Sequence, residues 1–183
     1  MNLTETDIKT LIGECKDNKR EAQKALYKMH FSFSLSICMR YANSKGEAQE
    51  MMNDGFIKVF QYIKKFDESR PFKPWLKRIL LNAAIDHFRK NKKHKEEVEL
   101  EEGLNESVKD SVLESITYDE MLEIVRQLPP AYRTVFNLRA IEGYQHEEIA
   151  KMLSISVGTS KSNYARAKKK LQIHLNAYFE VKP

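Results

Sequence analysis

Residues 146–171 read HEEIAKMLSISVGTSKSNYARAKKKL, and this stretch decides the fold of the last third of the chain. It predicts two helices joined by a tight turn, because Ile149, Ala150 and Leu153 share one face of the first helix. The second helix carries its own apolar stripe at helical spacing: Val157, Tyr164, Ala167 and Leu171. Its remaining residues are mostly polar or basic, as in a helix-turn-helix that reads the major groove of DNA. An ordinary helical hairpin with a solvated basic face is the alternative.

The composition favours a packed, largely helical protein. The chain has 183 residues, 42% of them hydrophobic and 31% charged, which allows one or two domains. Only 6 Gly and 5 Pro interrupt it, so long helices are favoured over turn-rich β architectures. The net charge is +5, but residues 70–95 and 161–170 are strongly basic while residues 96–120 are acidic. Two basic surfaces flanking an acidic segment indicate contact with nucleic acid at two places.

The periodicity predicts an all-α fold of two helical domains joined by an acidic flexible linker. In the first domain, residues 1–93, helices are expected from about Thr4, over Arg20–Asn43 and Lys45–Lys65, and again from Pro74 to about Lys92. Residues 94–117 are the linker, although a solvated acidic helix is an alternative for part of it. The second domain, residues 118–183, contains a helix ended by Pro129-Pro130, a helix over Ala131–Ala140, a turn at Glu142-Gly143 and the helix-turn-helix.

A second candidate nucleic-acid surface lies between residues 66 and 92. On a helical wheel, Arg78, Asn82, Ile85 and Arg89 lie opposite an apolar side made of Leu76, Ile79, Leu80, Ala83 and His87. An amide between cations suits base and phosphate contacts, but a solvated face is an equal alternative. Upstream, aromatic rings alternate with cations, a pattern that suits unstacked single-stranded bases: Phe66, Arg70, Phe72, Lys73 and Trp75. For Phe72 and Trp75 a place in the core is the favoured alternative.

No catalytic or metal site is predicted. The five histidines are scattered, and none has a carboxylate or cysteine partner at a suitable spacing. Cys15 and Cys38 lack a CxxC pairing and are expected to be reduced packing residues. The amino terminus does not resemble a signal peptide, and no stretch approaches a membrane span. We therefore expect a cytoplasmic protein with no enzymatic activity, no cofactor, no small-molecule substrate and no membrane insertion.

Three stretches together resemble the extracytoplasmic-function (ECF) sigma factors of the sigma-70 family. EAQEMMNDGFIKVFQYIKKFD at 47–67 is similar to the helix that docks on the clamp of RNA polymerase. PFKPWLKRILLNAAIDHFRKNKK at 71–93 is similar to the helix that opens and reads the minus-ten promoter element. LPPAYRTVFNLRAIEGYQHEEIAKMLSISVGTSKSNYARAKKKL at 128–171 is similar to the domain that binds the minus-thirty-five element. The partners implied are core RNA polymerase, promoter DNA and an anti-sigma factor.

The resemblance also implies roles for individual residues. The polymerase-binding residues would be Glu50, Asn53, Asp54, Phe56 and Ile57. The minus-ten contacts would be made by Phe66, Arg70, Phe72, Lys73, Trp75, Arg78, Asn82 and Arg89, with the loop 66–72 capturing a flipped base. The minus-thirty-five contacts would be made by Thr159, Ser160, Lys161, Ser162, Asn163, Arg166 and Lys169.

The chain departs from the family pattern at several positions of the helix-turn-helix. Ser154 stands where a turn glycine is usual, so either this residue accepts a less comfortable backbone geometry or the turn differs slightly. Ser160 replaces a usual valine on the buried stripe, which should loosen the packing. Asn163 and Ala165 stand where Arg and Ser are common, so an unusual minus-thirty-five sequence is expected.

Two other classes of protein would share part of this pattern. A helix-turn-helix regulator that acts without polymerase would explain the carboxy-terminal third but not residues 47–93. A protein-binding helical adaptor would give no promoter-specific transcription with core enzyme.

Overall fold

The computed structural model describes residues 5–94 and 116–181, and the described residues are helical apart from the segments that connect the helices. The chain divides into two compact units between Ala84 and Ile85, and this boundary lies inside one long helix. Eight α-helices are described: α1 Glu5–Lys16, α2 Arg20–Met39, α3 Lys45–Tyr62, α4 Phe72–His94, α5 Tyr118–Arg126, α6 Pro130–Phe136, α7 His146–Leu153 and α8 Val157–Val181. None of these helices is long and apolar enough to cross a membrane.

The first unit is built on helices that bury one apolar face each. α2 packs against both α1 and α3. Ser44 caps the start of α3, where its side chain accepts a hydrogen bond from the Glu47 backbone at 3.1 Å. Gly55 allows α3 and α4 to approach closely, because a β-carbon at this position would lie 2.7 Å from Leu80. The core residues include Ile12, Leu26, Ile37, Met52, Val59, Ile63, Leu76 and Leu80.

Most helix boundaries agree with the sequence prediction, with three shifts at the carboxyl side. α2 ends at Met39 rather than Asn43, a short 3-10 turn, Ile63–Lys65, follows α3, and α6 ends at Phe136, where a π-helical turn, Asn137–Ile141, replaces the end of the predicted helix. α4 begins at Phe72, two residues before the predicted start, so Phe72 and Lys73 belong to a helix and not to the preceding loop. The predicted linker lies almost wholly outside the described residues, as does the start expected at Thr4.

The second unit is held by α8, which packs against α5, α6 and α7. A cluster of buried residues from α5, from the segment that follows it and from α8 forms one core: Ile124, Val125, Leu128, Ala167 and Leu171. Thr117 and Glu120 form a capping box at the start of α5. Gly143 adopts a φ of 81°, as a tight turn before α7 requires.

The two cysteines are buried and free, as predicted. Burial raises the pKa of Cys15 to about 11 and that of Cys38 to about 12, so both thiols stay protonated and unreactive.

Candidate nucleic-acid and polymerase interfaces

One face of α3 is solvent-exposed and carries four of the five residues expected to bind polymerase. Residues at offsets of three, four and seven share a helical face, and Glu50, Asn53, Asp54 and Ile57 have this spacing and are all exposed. Ile57 is 56% exposed, so its apolar side chain is accessible to a partner. The Tyr27 hydroxyl donates to Asn53 at 3.0 Å and orients its amide. The face therefore combines two carboxylates, an oriented amide and one exposed apolar side chain.

Phe56 does not belong to this face. Its side chain is 2% exposed and points into the first core, where its ring lies 4.7 Å from that of Tyr27 and 5.9 Å from that of Phe60. A ring held in this way cannot reach a partner without unfolding part of α3. The structure corrects the assignment of Phe56 to the exposed face, because the residue falls on the buried side of the helix.

Three aromatic residues form one packed cluster at the start of α4. The rings of Phe66, Phe72 and Trp75 lie 5.0 to 5.6 Å from one another, a distance typical of ring contacts. Phe66 and Phe72 are buried, whereas Trp75 is half-buried. Neither buried phenylalanine has a free ring face for a base, so the expectation of stacking on DNA is corrected for Phe66, whereas the place in the core that the sequence favoured for Phe72 is confirmed. Trp75 keeps part of its surface available.

The loop between Phe66 and Phe72 is ordered by hydrogen bonds to Asp67. The Asp67 carboxylate accepts from the backbone and hydroxyl of Ser69 at 3.0 and 2.6 Å, and these bonds lower the pKa of Asp67. Arg70 lies 3.3 Å from the same carboxylate but is 79% exposed, so its guanidinium remains accessible. From α1, Lys16 donates to the Phe66 carbonyl at 3.3 Å and pairs with Glu68. The loop is thus held in one shape while Arg70 and Lys73 face solvent.

The polar strip predicted on α4 is shorter than expected. Arg78 and Asn82 are exposed one turn apart, as the prediction requires. Ile85, one turn further, is buried at 3% exposure, and Arg89 is half-buried with its guanidinium 3.8 Å from Asp86. The strip available to DNA therefore consists of Arg78 and Asn82, and Arg89 is separated from it by a buried residue. On the opposite side, Leu76, Leu80 and Ala83 are buried as predicted.

The turn between α7 and α8 is tight and left-handed. Ser154 has a φ of 54° and a ψ of 49°, which confirms the strained geometry expected for a residue that is not glycine. The Ile155 backbone donates to the Ala150 carbonyl at 3.0 Å and closes the end of α7. At the start of α8, the Ser156 hydroxyl accepts from the Thr159 backbone at 2.9 Å. These bonds fix where the first turn of α8 begins.

The exposed face of α8 contains most of the residues expected to bind DNA. Thr159, Lys161, Ser162 and Arg166 are exposed, while Asn163 and Lys169 are half-buried. Arg166 donates to the Tyr132 hydroxyl at 3.4 Å, and its side chain is exposed. This face therefore offers two cations, Lys161 and Arg166, which suit phosphates, and short polar side chains that suit base edges.

Ser160 is the exception on α8, and its burial corrects the DNA-binding prediction. Its side chain is fully buried, and its hydroxyl lies 2.9 Å from Nδ1 of His146 on α7. The position falls three residues after Val157 and four before Tyr164, on the apolar stripe, so the spacing alone indicates burial. Sequence reasoning did not identify His146 as its partner, because a contact between helices leaves no periodic signal.

Another buried polar residue escaped the sequence analysis. Arg133 on α6 is 1% exposed and donates to the Arg126 carbonyl at 3.0 Å, which ties the end of α5 to α6. Among the described residues, no group of three His, Cys, Asp or Glu side chains could hold a metal ion.

Comparisons with known proteins match both units in order. The family profile described as Sigma-70 region 2 matches residues 26–94, and the profile described as Sigma-70, region 4 matches residues 118–171. The ECF RNA polymerase sigma factor SigW of Bacillus subtilis is 31% identical over 180 residues, covering 92% of this chain and 96% of that protein. The RNA polymerase sigma-H factor of Pseudomonas aeruginosa is 26% identical over 178 residues, covering 91% and 92%.

A solved structure has the same fold. The sigma factor RpoE of Bartonella quintana, crystallised with the anti-sigma factor NepR, matches with a TM-score of 0.51 at 20% identity. The match covers 87% of this chain and 98% of that one.

Proposed function

We infer the function of this chain from one premise: it belongs to the sigma-70 family, within the group of ECF RNA polymerase sigma factors. It binds core RNA polymerase and directs promoter recognition, DNA melting and transcription initiation. The observation that carries this conclusion is the match of regions 2 and 4, in that order, on a chain that aligns with SigW over 92% of its length. Members of the family are initiation factors, and no catalytic step is proposed for this chain itself.

The exposed face of α3 is the proposed polymerase-binding surface. Ile57 supplies apolar area, and Glu50, Asn53 and Asp54 supply charge and hydrogen bonds around it. An apolar centre within a polar rim is the usual anatomy of a protein interface. Residues 1–93 are proposed to act as sigma region 2, residues 94–117 as the linker and residues 118–183 as sigma region 4.

The start of α4 and the loop before it are the proposed minus-ten surface. The buried rings of Phe66 and Phe72 support the loop from below rather than stack on bases. Arg70, Lys73 and Trp75 then face the melted strand, where cations follow the backbone and one indole can stack on a base. Arg78 and Asn82 are proposed to contact the same strand or its edge.

The outward face of α8 is the proposed minus-thirty-five surface. Lys161 and Arg166 are placed to contact phosphates, and Thr159, Ser162 and Asn163 to contact base edges. An Asn side chain can pair with adenine through two hydrogen bonds, so Asn163 is a proposed determinant of sequence preference. A regulator acting without polymerase would need this surface alone and would leave the region 2 match without a role.

We further propose that an anti-sigma factor regulates the chain. The related RpoE was crystallised with such a partner, NepR. Action in the cytoplasm is proposed because the core polymerase and the promoter are found there.

The decisive experiment measures binding of the purified chain to core polymerase and promoter-specific run-off transcription. Ile57→Asp should weaken core binding by about tenfold or more, because burying one Ile side chain contributes about 1.5–3 kcal/mol. The chain offers a matched control on the same helix, since Tyr62 is also exposed, at 49%, but lies off this face. Tyr62→Asp should leave core binding within about twofold of wild type.

Two results would contradict the proposal. If the unaltered chain neither bound core polymerase nor supported run-off transcription, the function itself would be wrong. If the chain bound core but Ile57→Asp and Tyr62→Asp had equal effects, the α3 face would not be the docking surface.

A further inference from the structure

Where α7 packs against α8, two polar side chains form a pair that the function described above does not use. His146 is the first residue of α7, and Ser160 lies in the first turn of α8. Ser160 is fully buried, and its hydroxyl lies 2.9 Å from Nδ1 of the His146 ring. A buried hydroxyl without a partner costs about 1–3 kcal/mol, so the bond holds the start of α8 against α7.

The His146 ring is fixed from a second direction by aromatic packing. Its centroid lies 5.7 Å from the ring of Tyr164 in an edge-to-face arrangement, and Tyr164 stacks on Phe136 at 6.2 Å. The imidazole of α7 is therefore held against α8 by Ser160 and Tyr164, and Tyr164 in turn packs on α6. Its Nδ1 is engaged by Ser160, so it is Nε2 that remains for solvent or a ligand.

The surroundings of His146 oppose its protonation in the free protein. Desolvation is the largest effect, and Arg139 and Lys161 act in the same direction, while Glu147 opposes them; the pKa of His146 is lowered overall. His146 also lies at the amino terminus of α7, where the helix dipole disfavours a cation. The charged groups that face His146 come from α7, from α8 and from the π-helical turn Asn137–Ile141 after α6, where Arg139 lies.

Bound DNA would reverse this balance. Lys161 belongs to the proposed minus-thirty-five surface, so this step rests on the proposed function. Phosphates that pair with Lys161 cancel its repulsion and place negative charge near the ring, which favours the protonated form. The hydrogen bond survives, because a serine hydroxyl can donate to a neutral ring nitrogen or accept from a protonated one.

We propose that His146 couples proton uptake to the binding of minus-thirty-five duplex, while its bond to Ser160 keeps α8 in position in either protonation state. Promoter binding by this domain then strengthens as the pH falls through the range in which the free histidine is neutral and the bound one is charged. His146 acts here as a positioning residue with a titratable contact.

The test measures the affinity of the full chain for a duplex containing the minus-thirty-five element, at fixed ionic strength, from pH 6 to pH 8. The affinity of the wild type should fall by about three- to tenfold over this range, since one linked proton gives at most tenfold per pH unit. His146→Asn keeps a group that can bond to Ser160 but cannot titrate. Its affinity at pH 8 should lie within about threefold of wild type, and its pH dependence should be largely lost.

A matched control lies on the same helix. His174 is half-buried on α8 but outside the proposed surface, and His174→Asn should keep the pH dependence of wild type. A second readout follows the His146 ring by nuclear magnetic resonance, where its titration midpoint should rise when the duplex is added.

The outcomes separate the two ideas. An unchanged pH dependence in His146→Asn, or an unchanged midpoint on adding DNA, would overturn the coupling while leaving the sigma-factor function intact. Failure of the wild type to bind the duplex at any pH or salt concentration would instead count against the proposed function of α8.

Discussion

The first unit should lose stability in mild acid because of one buried histidine. His30 is 2% exposed, packs 5.1 Å from the ring of Phe72, and has no hydrogen-bond partner for Nε2 within the described residues. Burial, with a smaller contribution from the charge of Lys73, lowers the pKa of His30 from 6.5 to about 4. The unfolded chain therefore binds more protons than the folded one between these two values.

The size of the effect follows from linkage. Stability is unaffected well above pH 6.5, falls as the pH drops through that value, and reaches its full loss below about pH 4. This difference in the pKa of His30 between the unfolded and folded states corresponds to about 3 kcal/mol of unfolding free energy in total, of which about 2 kcal/mol is lost between pH 7.5 and pH 5. This is a large share of the usual stability of a small domain.

Urea unfolding can measure this loss in the first unit alone. The chain has a single tryptophan, Trp75, whose ring contacts Phe72 beside His30, so its fluorescence reports on this unit. His30→Leu removes the titrating group and should reduce the loss of unfolding free energy between pH 7.5 and pH 5 by about 2 kcal/mol relative to wild type. The loss of unfolding free energy in Lys73→Gln should lie between those of wild type and His30→Leu. Equal losses in wild type and His30→Leu would refute the reasoning.

Three further predictions concern the turn and the two DNA surfaces. Ser154→Gly should stabilise the second unit by about 1 kcal/mol and raise its melting temperature by about 4–8 °C, because Ser154 has a left-handed φ of 54°. The control variant Asn18→Gly, at a φ of 59°, should gain less stability, since Asn tolerates this region. A gain no larger than that of Asn18→Gly would argue against strain at the turn. Asn82→Ala should weaken promoter opening, measured by permanganate reactivity of unpaired thymines, more than closed-complex binding; equal loss in both steps would contradict its placement on the melted strand. Lys161→Ala with Arg166→Ala should make the slope of log affinity against log salt shallower by about 1.8, at about 0.9 per phosphate contact. An unchanged slope would mean that neither side chain meets a phosphate.

Helical periodicity accounts for the parts of the fold that were predicted correctly. The stripes on α4, α7 and α8 bury Leu76, Leu80, Ile149, Leu153 and Ala167 as expected, because one face of each helix must leave water. The left-handed turn at Ser154 followed from the resemblance, since a glycine is usual there. These features depend on neighbours within about four residues, which the sequence displays directly.

The errors arise where the position of a residue depends on contacts between helices. Phe56 was assigned by resemblance to the polymerase-binding surface, yet its ring fills the first core. Ile85 lies on the polar side of the α4 wheel and is nevertheless 3% exposed, which the periodicity of the helix did not predict. The bond between His146 and Ser160 joins residues fourteen apart, and only the folded structure reveals it.

The length of α8 separates the evolution of promoter preference from the maintenance of the fold. The helix has 25 residues, about 37 Å; Ala167 and Leu171 lie on the side of it that enters the core, whereas Thr159 and Ser162 are exposed. On the proposed minus-thirty-five surface, mutations at Thr159 or Ser162 would therefore change which sequence is read without removing a buried side chain. A duplicated copy of the gene could acquire a new set of target promoters in a few steps, each of them compatible with a folded protein.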